Sequence, residues 1–333
     1  MTMKKFINDP ADLTKELLEG YTQAFSNKVT LESDKLVVRA QPKDKSKVAL
    51  VTLGGAGHEP ALSGFVGEGM LDISVVGDIF AAPGPPKLFE ALKKADRKAG
   101  VLLIVLNHEG DVMSAETAME MAEEENLNVK MLLTHEDIAP GRDAPITDKR
   151  GLVGCVPLYK IAGAAAEAGK SLDEVYALAE RFNNNMATLA VALKTATHPA
   201  SGDAIFDLED DEMEIGMGQH GEAGTGKSKM MTADETADTM LKQLLKAVDA
   251  SSGDKLLVML NGTGATTLME LFIIFRRVKQ FLNDKGIEAA RVVIDEVLTV
   301  QEMAGFQMFV AKMDDELLNL WDMTCDTPYL TVR

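Results

Sequence analysis

Short apolar runs of strand length alternate along the chain with stretches whose apolar residues recur at helical spacing. A helix is predicted after Asp9, with Pro10 at its first position and Leu13, Leu17, Tyr21 and Ala24 on one face. Leu36–Ala40 and Val48–Leu53 read as strands. The second runs into the glycine-rich turn Gly54-Gly55-Ala56-Gly57-His58-Glu59-Pro60, ahead of a helix-like segment. Ile73–Val76 reads as a strand, Ala81–Pro86 as a turn and the residues from about Lys87 as a helix. Val101–Leu106 is apolar throughout, the pattern of a strand buried on both faces, and ends in Asn107-His108-Glu109-Gly110-Asp111. One more helix and strand come next, to about Leu133. Such alternation predicts a mostly parallel sheet flanked by helices, with ligands gathered beyond the carboxyl ends of the strands. The turns bearing His58 and Asp111 both fall at such ends.

His135–Gly151 is polar and loop-like. Two helices are then expected, roughly Pro157–Ala168 and a second capped by Ser171 with Glu174, ending near Asn183. The domain boundary is placed there, giving residues 1–185 and a smaller α/β or α+β domain over 186–333. Its elements are a strand Met186–Leu193, an acidic loop Asp207–Glu214, a glycine-rich stretch Ile215–Gly224 and a helix from Thr232 with Glu235 in a capping box. Strand Leu256–Leu260, the turn Asn261–Thr267, a long helix to about Asn283 and strands Ala290–Ile294 and Phe306–Ala311 complete it.

A length of 333 residues suits this two-domain α/β reading, and 46% apolar with 26% charged residues is an ordinary globular balance. The net charge of −18 repels phosphate backbones and anionic lipid, so neither nucleic acid nor membrane is expected as a partner. No apolar run reaches signal-peptide or membrane-span length, and a cytoplasmic chain is expected. Two cysteines, Cys155 and Cys325, form neither a disulfide framework nor a zinc knuckle.

Five histidines stand at 58, 108, 135, 198 and 220, with no HxH or HExxH pairing, so no metal is expected. His58 and His220 differ from the others in lying beside glycines, which let backbone and ligand approach closely. A neutral imidazole can act as base or nucleophile, and Asp111 can orient one or accept a hydroxyl proton. The turn Gly55-Ala56-Gly57 can present backbone amides to ligand oxygens. Gly221–Ser228 fits GxxxxGK[ST]. The helix signal at Thr232 comes too late for its dipole to face a phosphate, so a flexible loop is the better reading.

The segments Gly55–Pro60, Gly64–Met70, Asn107–Asp111, Arg150-Gly151, Gly163–Gly169, Glu212–Gly224 and Asn261–Thr267, in that order, resemble the dihydroxyacetone-binding subunit of bacterial dihydroxyacetone kinases across essentially the whole chain. The resemblance implies a homodimer of two-domain α/β subunits. It gives His220 the role of attacking a ketone carbon to form a covalent hemiaminal. His58 becomes the base on the hydroxyl to be phosphorylated, Asp111 a hydroxyl partner and possible base, and Gly55, Ala56 and Gly57 the lining of the ketose. It further implies no cofactor in this chain. Mg-ATP or Mg-ADP would rest on a separate nucleotide-binding helical subunit, in many bacteria recharged by a phosphotransferase-system protein.

Leu106 and His108 stand where the family commonly has lysine and tyrosine. Ala56 replaces a serine, and Phe80-Ala81-Ala82-Pro83-Gly84-Pro85 replaces a hydroxyl-rich segment. Such changes alter which hydroxyls are held, so a tetrulose stands beside dihydroxyacetone as the expected ketose. The competing expectation is a ketose sensor that keeps the covalent histidine and coactivates a transcription factor without turnover.

Overall fold

The computed structural model describes residues 4–222, 224 and 226–333. In chain order the elements are α1 (Leu13–Ala24), β1 (Val29–Glu32), β2 (Leu36–Arg39), β3 (Ala49–Ala56), β4 (Ile73–Ile79), α2 (Pro85–Ala95), β5 (Val101–Leu106), α3 (Glu109–Glu124) and β6 (Val129–Thr134). Helices α4 (Cys155–Glu167) and α5 (Leu172–Asn183) lead to β7 (Met186–Lys194), β8 (Glu212–Ile215), β9 (Lys227–Lys229), α6 (Ala233–Ala247) and β10 (Lys255–Gly262). The chain ends with α7 (Leu268–Asp284), β11 (Glu288–Asp295), β12 (Ala304–Lys312), α8 (Asp315–Asp322) and the short pair β13 (Cys325–Asp326) and β14 (Thr331–Val332).

The first sheet runs β1-β2-β4-β3-β5-β6, with β4, β3, β5 and β6 parallel and β1 and β2 added antiparallel. The second runs β11-β10-β12-β7-β8-β9, where only β10 and β11 are parallel. The fold is therefore α/β, with an α+β character in the second sheet. One face of the first sheet packs on α2 and α3 around Val51, Leu103 and Leu92. Its other face shares a core with α4 and α5 that also takes Met259 and Phe309 from the second sheet. Helix α4 is buried at every position from Cys155 to Ala166. Capping boxes at Ser171, Thr232 and Thr267 start α5, α6 and α7. Each cap is worth about 1 kcal/mol.

Several expectations need correction. Strand β3 runs on through Ala56, so Gly54 and Gly55 are strand residues. After the strand come a turn and a single 3-10 turn at Ser63–Phe65, not a helix-like segment. Asp111 lies in the first turn of α3 rather than in a loop. The end of the acidic stretch forms β8. Helix α1 buries Thr14, Leu18 and Thr22, with Leu17 and Tyr21 of the predicted face packed against the same core and Ala24 exposed; Pro10–Asp12 form a 3-10 turn ahead of it. In the P-loop look-alike, Ala223 and Thr225 lie outside the described residues. Lys227 and Ser228 sit exposed in the edge strand β9, short of α6.

The segment 297–301, between β11 and β12, joins the two sheets. Buried Asn261 at the end of β10 accepts from the backbone N–H of Val297 and Leu298 at 2.8 and 3.0 Å and donates to the Leu298 carbonyl at 2.7 Å. Thr299 and Gln301 then grip the first sheet: both backbone N–H groups donate to it, Thr299 to the His58 carbonyl at 3.1 Å and Gln301 to the Gly57 carbonyl at 3.3 Å. Asn261→Ala orphans three buried backbone groups. Chemical denaturation is expected to show a loss of about 3 kcal/mol; an unchanged midpoint would mean the tether carries no load.

Candidate active site

His58 lies just beyond the end of β3, buried. Its Nδ1 lies 2.8 Å from the Thr299 carbonyl, which can only accept, so Nδ1 carries the hydrogen. Its Nε2 meets His220 Nε2 at 3.1 Å. Burial first, then the neighbouring His220, drive His58 down to about 3, while the Thr299 carbonyl pulls the other way. His58 is therefore a neutral imidazole at ordinary pH.

His220 sits in a tight turn in which the Gly218 N–H donates to the Glu222 carbonyl and the His220 N–H donates to Glu222 Oε2, both at 2.8 Å. Arg150 fixes the turn from outside. It donates to the carbonyls of Gly216 at 2.7 Å and Glu222 at 3.3 Å, and is itself held by buried Asp137 at 2.6 Å. A Cβ on Gly218 would lie 2.1 Å from Glu222 Oε2, and one on Gly57, at φ +104°, 2.7 Å from the Phe80 ring. The close approach these glycines permit is thus made by the protein's own side chains.

His108, the N-cap residue of α3, lies edge-on to His220 with ring centroids 4.8 Å apart. Its Nε2 is 2.8 Å from the Gly151 carbonyl and its Nδ1 is 3.6 Å from Glu222 Oε1; His220 Nδ1 is 3.2 Å from the same oxygen. Burial pushes Glu222 up, but the two imidazoles facing it outweigh this and hold its carboxyl well below the usual range. Phe80 covers the group, its centroid 5.1 Å from His58 and 5.9 Å from His220; it also touches His198 at 5.7 Å.

Asp111 is 8% exposed, and its Oδ1 has no hydrogen-bond partner among the described residues. Burial raises it to about 7, and the charge of His220 draws it part of the way back. His58 and Asp111 thus each feel His220. Gly55 and Ala56 border a different space, a cavity of about 400 Å³ walled by Tyr21, Phe25, Pro60 and Tyr329. His135, whose charged neighbour is Lys149, stands apart. Leu106 is buried, so it offers no cation where the resembled family has lysine.

Sequence reasoning did not single out Thr299, Gln219, the ring of Phe80 as a cover or the pairing of His108 with Glu222. Glu222 was visible inside the glycine-histidine segment and His108 as a departure from the family pattern. Nothing in the sequence marked Thr299, which acts through its backbone.

A family model for the Dak1 domain matches residues 19–329. The chain belongs to the Dak1 family. It is 40% identical, over 95% of both chains, to the dihydroxyacetone-binding subunit of a PTS-dependent dihydroxyacetone kinase from Lactococcus lactis. It is 35% identical to a D-erythrulose kinase from Mycolicibacterium smegmatis, covering 98% of this chain and 56% of that one, so it spans about half of that relative. Among solved structures, a dihydroxyacetone kinase operon co-activator superposes with a TM-score of 0.90 at 27% identity, covering 96% of this chain and 98% of the other. The Dak1 fold thus accommodates kinase subunits and a co-activator alike.

Asp111 holds in the fold a proton that the unfolded chain releases near its ordinary 3.8. The stability it contributes is complete below that pH and is lost as pH rises to about 7. His58 has the opposite sign, its contribution present above 6.5 and lost as pH falls toward about 3. Asp111→Asn should therefore remove the Asp111 share alone, so that the stability of the variant rises relative to wild type as pH increases from 3.8 to about 7. An identical pH profile in wild type and variant would contradict the assignment.

Proposed function

We propose that the chain is the ketose-binding subunit of a dihydroxyacetone-type kinase, holding a small ketose as a hemiaminal on His220. The observation that carries this reading is the 3.1 Å approach of His58 Nε2 to His220 Nε2; it is supported by a buried Asp111 whose Oδ1 has no partner among the described residues and which feels His220 electrostatically. That is the polar set a small carbonyl compound with neighbouring hydroxyls requires.

In the productive form His220 carries its proton on Nδ1, donated to Glu222, and its Nε2 lone pair attacks the carbonyl carbon. The N–C bond forms as the C–O π bond breaks, and the imidazole proton ends on the former carbonyl oxygen. A polyol has no such carbon, so the bond selects ketoses over glycerol. It also fixes the reacting hydroxyl for transfer. His58, neutral and anchored by Thr299, is the base for that hydroxyl. Asp111 accepts from a second hydroxyl, and of the Gly55-Ala56-Gly57 turn only Gly57, beside His58, is left to line the ketose, since Gly55 and Ala56 border the other cavity. The phosphoryl donor, Mg-ATP or Mg-ADP, belongs to a nucleotide-binding partner subunit, and the setting is the cytoplasm. No helix among the described residues is long and apolar enough to cross a membrane. The exposed side chains of Leu268, Met269 and Phe272 on α7 support self-association as a homodimer. The division at residue 185 belongs to the same proposal: His58 and Asp111 come from one half and His220 from the other.

Kinases for dihydroxyacetone and for erythrulose both stand among the relatives, so the ketose has three or four carbons. A buried leucine at 106 and the likeness to a co-activator favour a second reading, a ketose sensor without turnover. Phosphoryl transfer in the reconstituted pair would exclude it.

His220→Ala is expected to abolish the ketose adduct seen by intact mass; an adduct that persists would remove His220 from the chemistry. His58→Ala should retain the adduct and lower turnover about 10²–10⁴-fold, and loss of the adduct with turnover intact would contradict a base there. Because the ionised carboxylate of Asp111 holds the second hydroxyl more strongly than the neutral acid, kcat/KM should rise with pH until about 7 and then level, a limb absent in Asp111→Asn. A native profile flat across that range would refute the role.

A further inference from the structure

The site holds fewer protons than it has contacts to fill. The Thr299 carbonyl, 2.8 Å away, takes the hydrogen of His58 Nδ1, so Nε2 of that neutral ring is a lone pair. The Gly151 carbonyl, also at 2.8 Å, takes the hydrogen of His108 Nε2, so His108 Nδ1 is the lone-pair nitrogen, and it faces a carboxylate oxygen at 3.6 Å. The Gln219 amide nitrogen lies 2.9 Å from His108 Nε2, donor against donor for this tautomer, while its buried Oε1 has no partner among the described residues; exchanging the two amide atoms relieves both, and the oxygen then shares the His108 N–H with the Gly151 carbonyl. A neutral His220 then has a single proton for two contacts, with His58 Nε2 at 3.1 Å and Glu222 Oε1 at 3.2 Å. When that proton is on Nε2, two lone-pair nitrogens and a carboxylate oxygen converge within 4.8 Å of one another with nothing positive between them.

The spacing suits a metal ion. Bonds of about 2.0–2.1 Å to a tetrahedral zinc put neighbouring ligand atoms about 3.3 Å apart. The distances from Glu222 Oε1 to the two Nδ1 atoms, 3.2 and 3.6 Å, bracket that value, and all three ligand atoms lie within 4.8 Å of one another. Two imidazoles and a carboxylate suit zinc-class cations rather than magnesium or calcium, which prefer oxygen. Each ring nitrogen opposite the cluster also has an acceptor to orient it, Gly151 for His108 and His58 for His220. The Glu222 side chain is 39% exposed, which leaves a way in from solvent.

We propose that His108 Nδ1, His220 Nδ1 and Glu222 Oε1 form a binding site for a divalent cation of the zinc class, and that the bound cation opposes the covalent ketose. A cation on Nδ1 keeps the His220 proton on Nε2, and that nitrogen then has no lone pair for a carbonyl carbon. The antagonism rests on His220 being the ketose-bonding group, whereas the metal site does not. Where the family pattern has tyrosine in place of His108, the second imidazole is missing.

Calorimetric titration of the full chain with zinc chloride near neutral pH tests the site. One equivalent should bind, weakened about tenfold or more in His108→Tyr and in His108→Phe, with folding of both variants checked by circular dichroism. No stoichiometric binding, equal binding by both folded variants, or equally strong binding of magnesium would overturn the site. Intact mass after incubation with dihydroxyacetone tests the antagonism: zinc should suppress the adduct in the native chain, and about tenfold more zinc or greater should be required to do so in His108→Tyr. An adduct indifferent to bound zinc would overturn the antagonism and leave the site standing. Zinc binding with no adduct under any condition would refute the covalent reading of His220 itself.

Discussion

The architecture turns on a clamp of backbone hydrogen bonds between the two sheets. Asn261 fixes the start of the 297–301 segment, and Thr299 and Gln301 then grip Gly57 and His58. Through Thr299 the second half sets both the position and the tautomer of an imidazole that belongs to the first. Without that grip the 3.1 Å meeting of His58 with His220 would depend on two loops finding each other. With it, the meeting follows from strand ends already fixed by their sheets. A neutral, oriented imidazole keeps a lone pair free to accept from a sugar hydroxyl.

Around this pair the protein places ionisable groups in surroundings that push them in different directions. Asp111 is buried with an oxygen free and rises to about 7, while Glu222, between two imidazoles, is held well below the usual range. One carboxyl is thus ready to exchange a proton near neutrality, and the other remains an anion that organises its neighbours. The division mirrors the chemistry proposed: Glu222 governs which nitrogen of His220 is free, and Asp111 answers to the substrate. It also makes the imidazole cluster sensitive to anything else that can occupy an Nδ1 lone pair.

Much of the fold was legible because its strands declare themselves. Val101–Leu106 is apolar at every position and is buried at every position. The capping boxes at Ser171 and Thr232 start helices where the residues said they would. The edge strands β1 and β9 and the helix α8 escaped notice, since short or half-polar segments take their conformation from the neighbours they pair with. The α-helix begins at Leu13 rather than Pro10, because a 3-10 turn takes the first residues. At the site, glycine neighbours marked His58 and His220. Their partners did not show, because Thr299 contributes a carbonyl, Phe80 an edge, and His108 meets Glu222 only after a long excursion of the chain. Such contacts belong to the folded backbone and leave no local pattern.

The mechanism stands or falls on a bond between an imidazole nitrogen and a ketone carbon. Carbon-13 NMR of the protein with dihydroxyacetone labelled at the carbonyl carbon observes that bond itself. The bound resonance is expected to leave the ketone range for that of a tetrahedral carbon bearing nitrogen and oxygen, with coupling to nitrogen-15 when the histidines are labelled. A saturably bound ketose whose carbonyl resonance stays in the ketone range would contradict it.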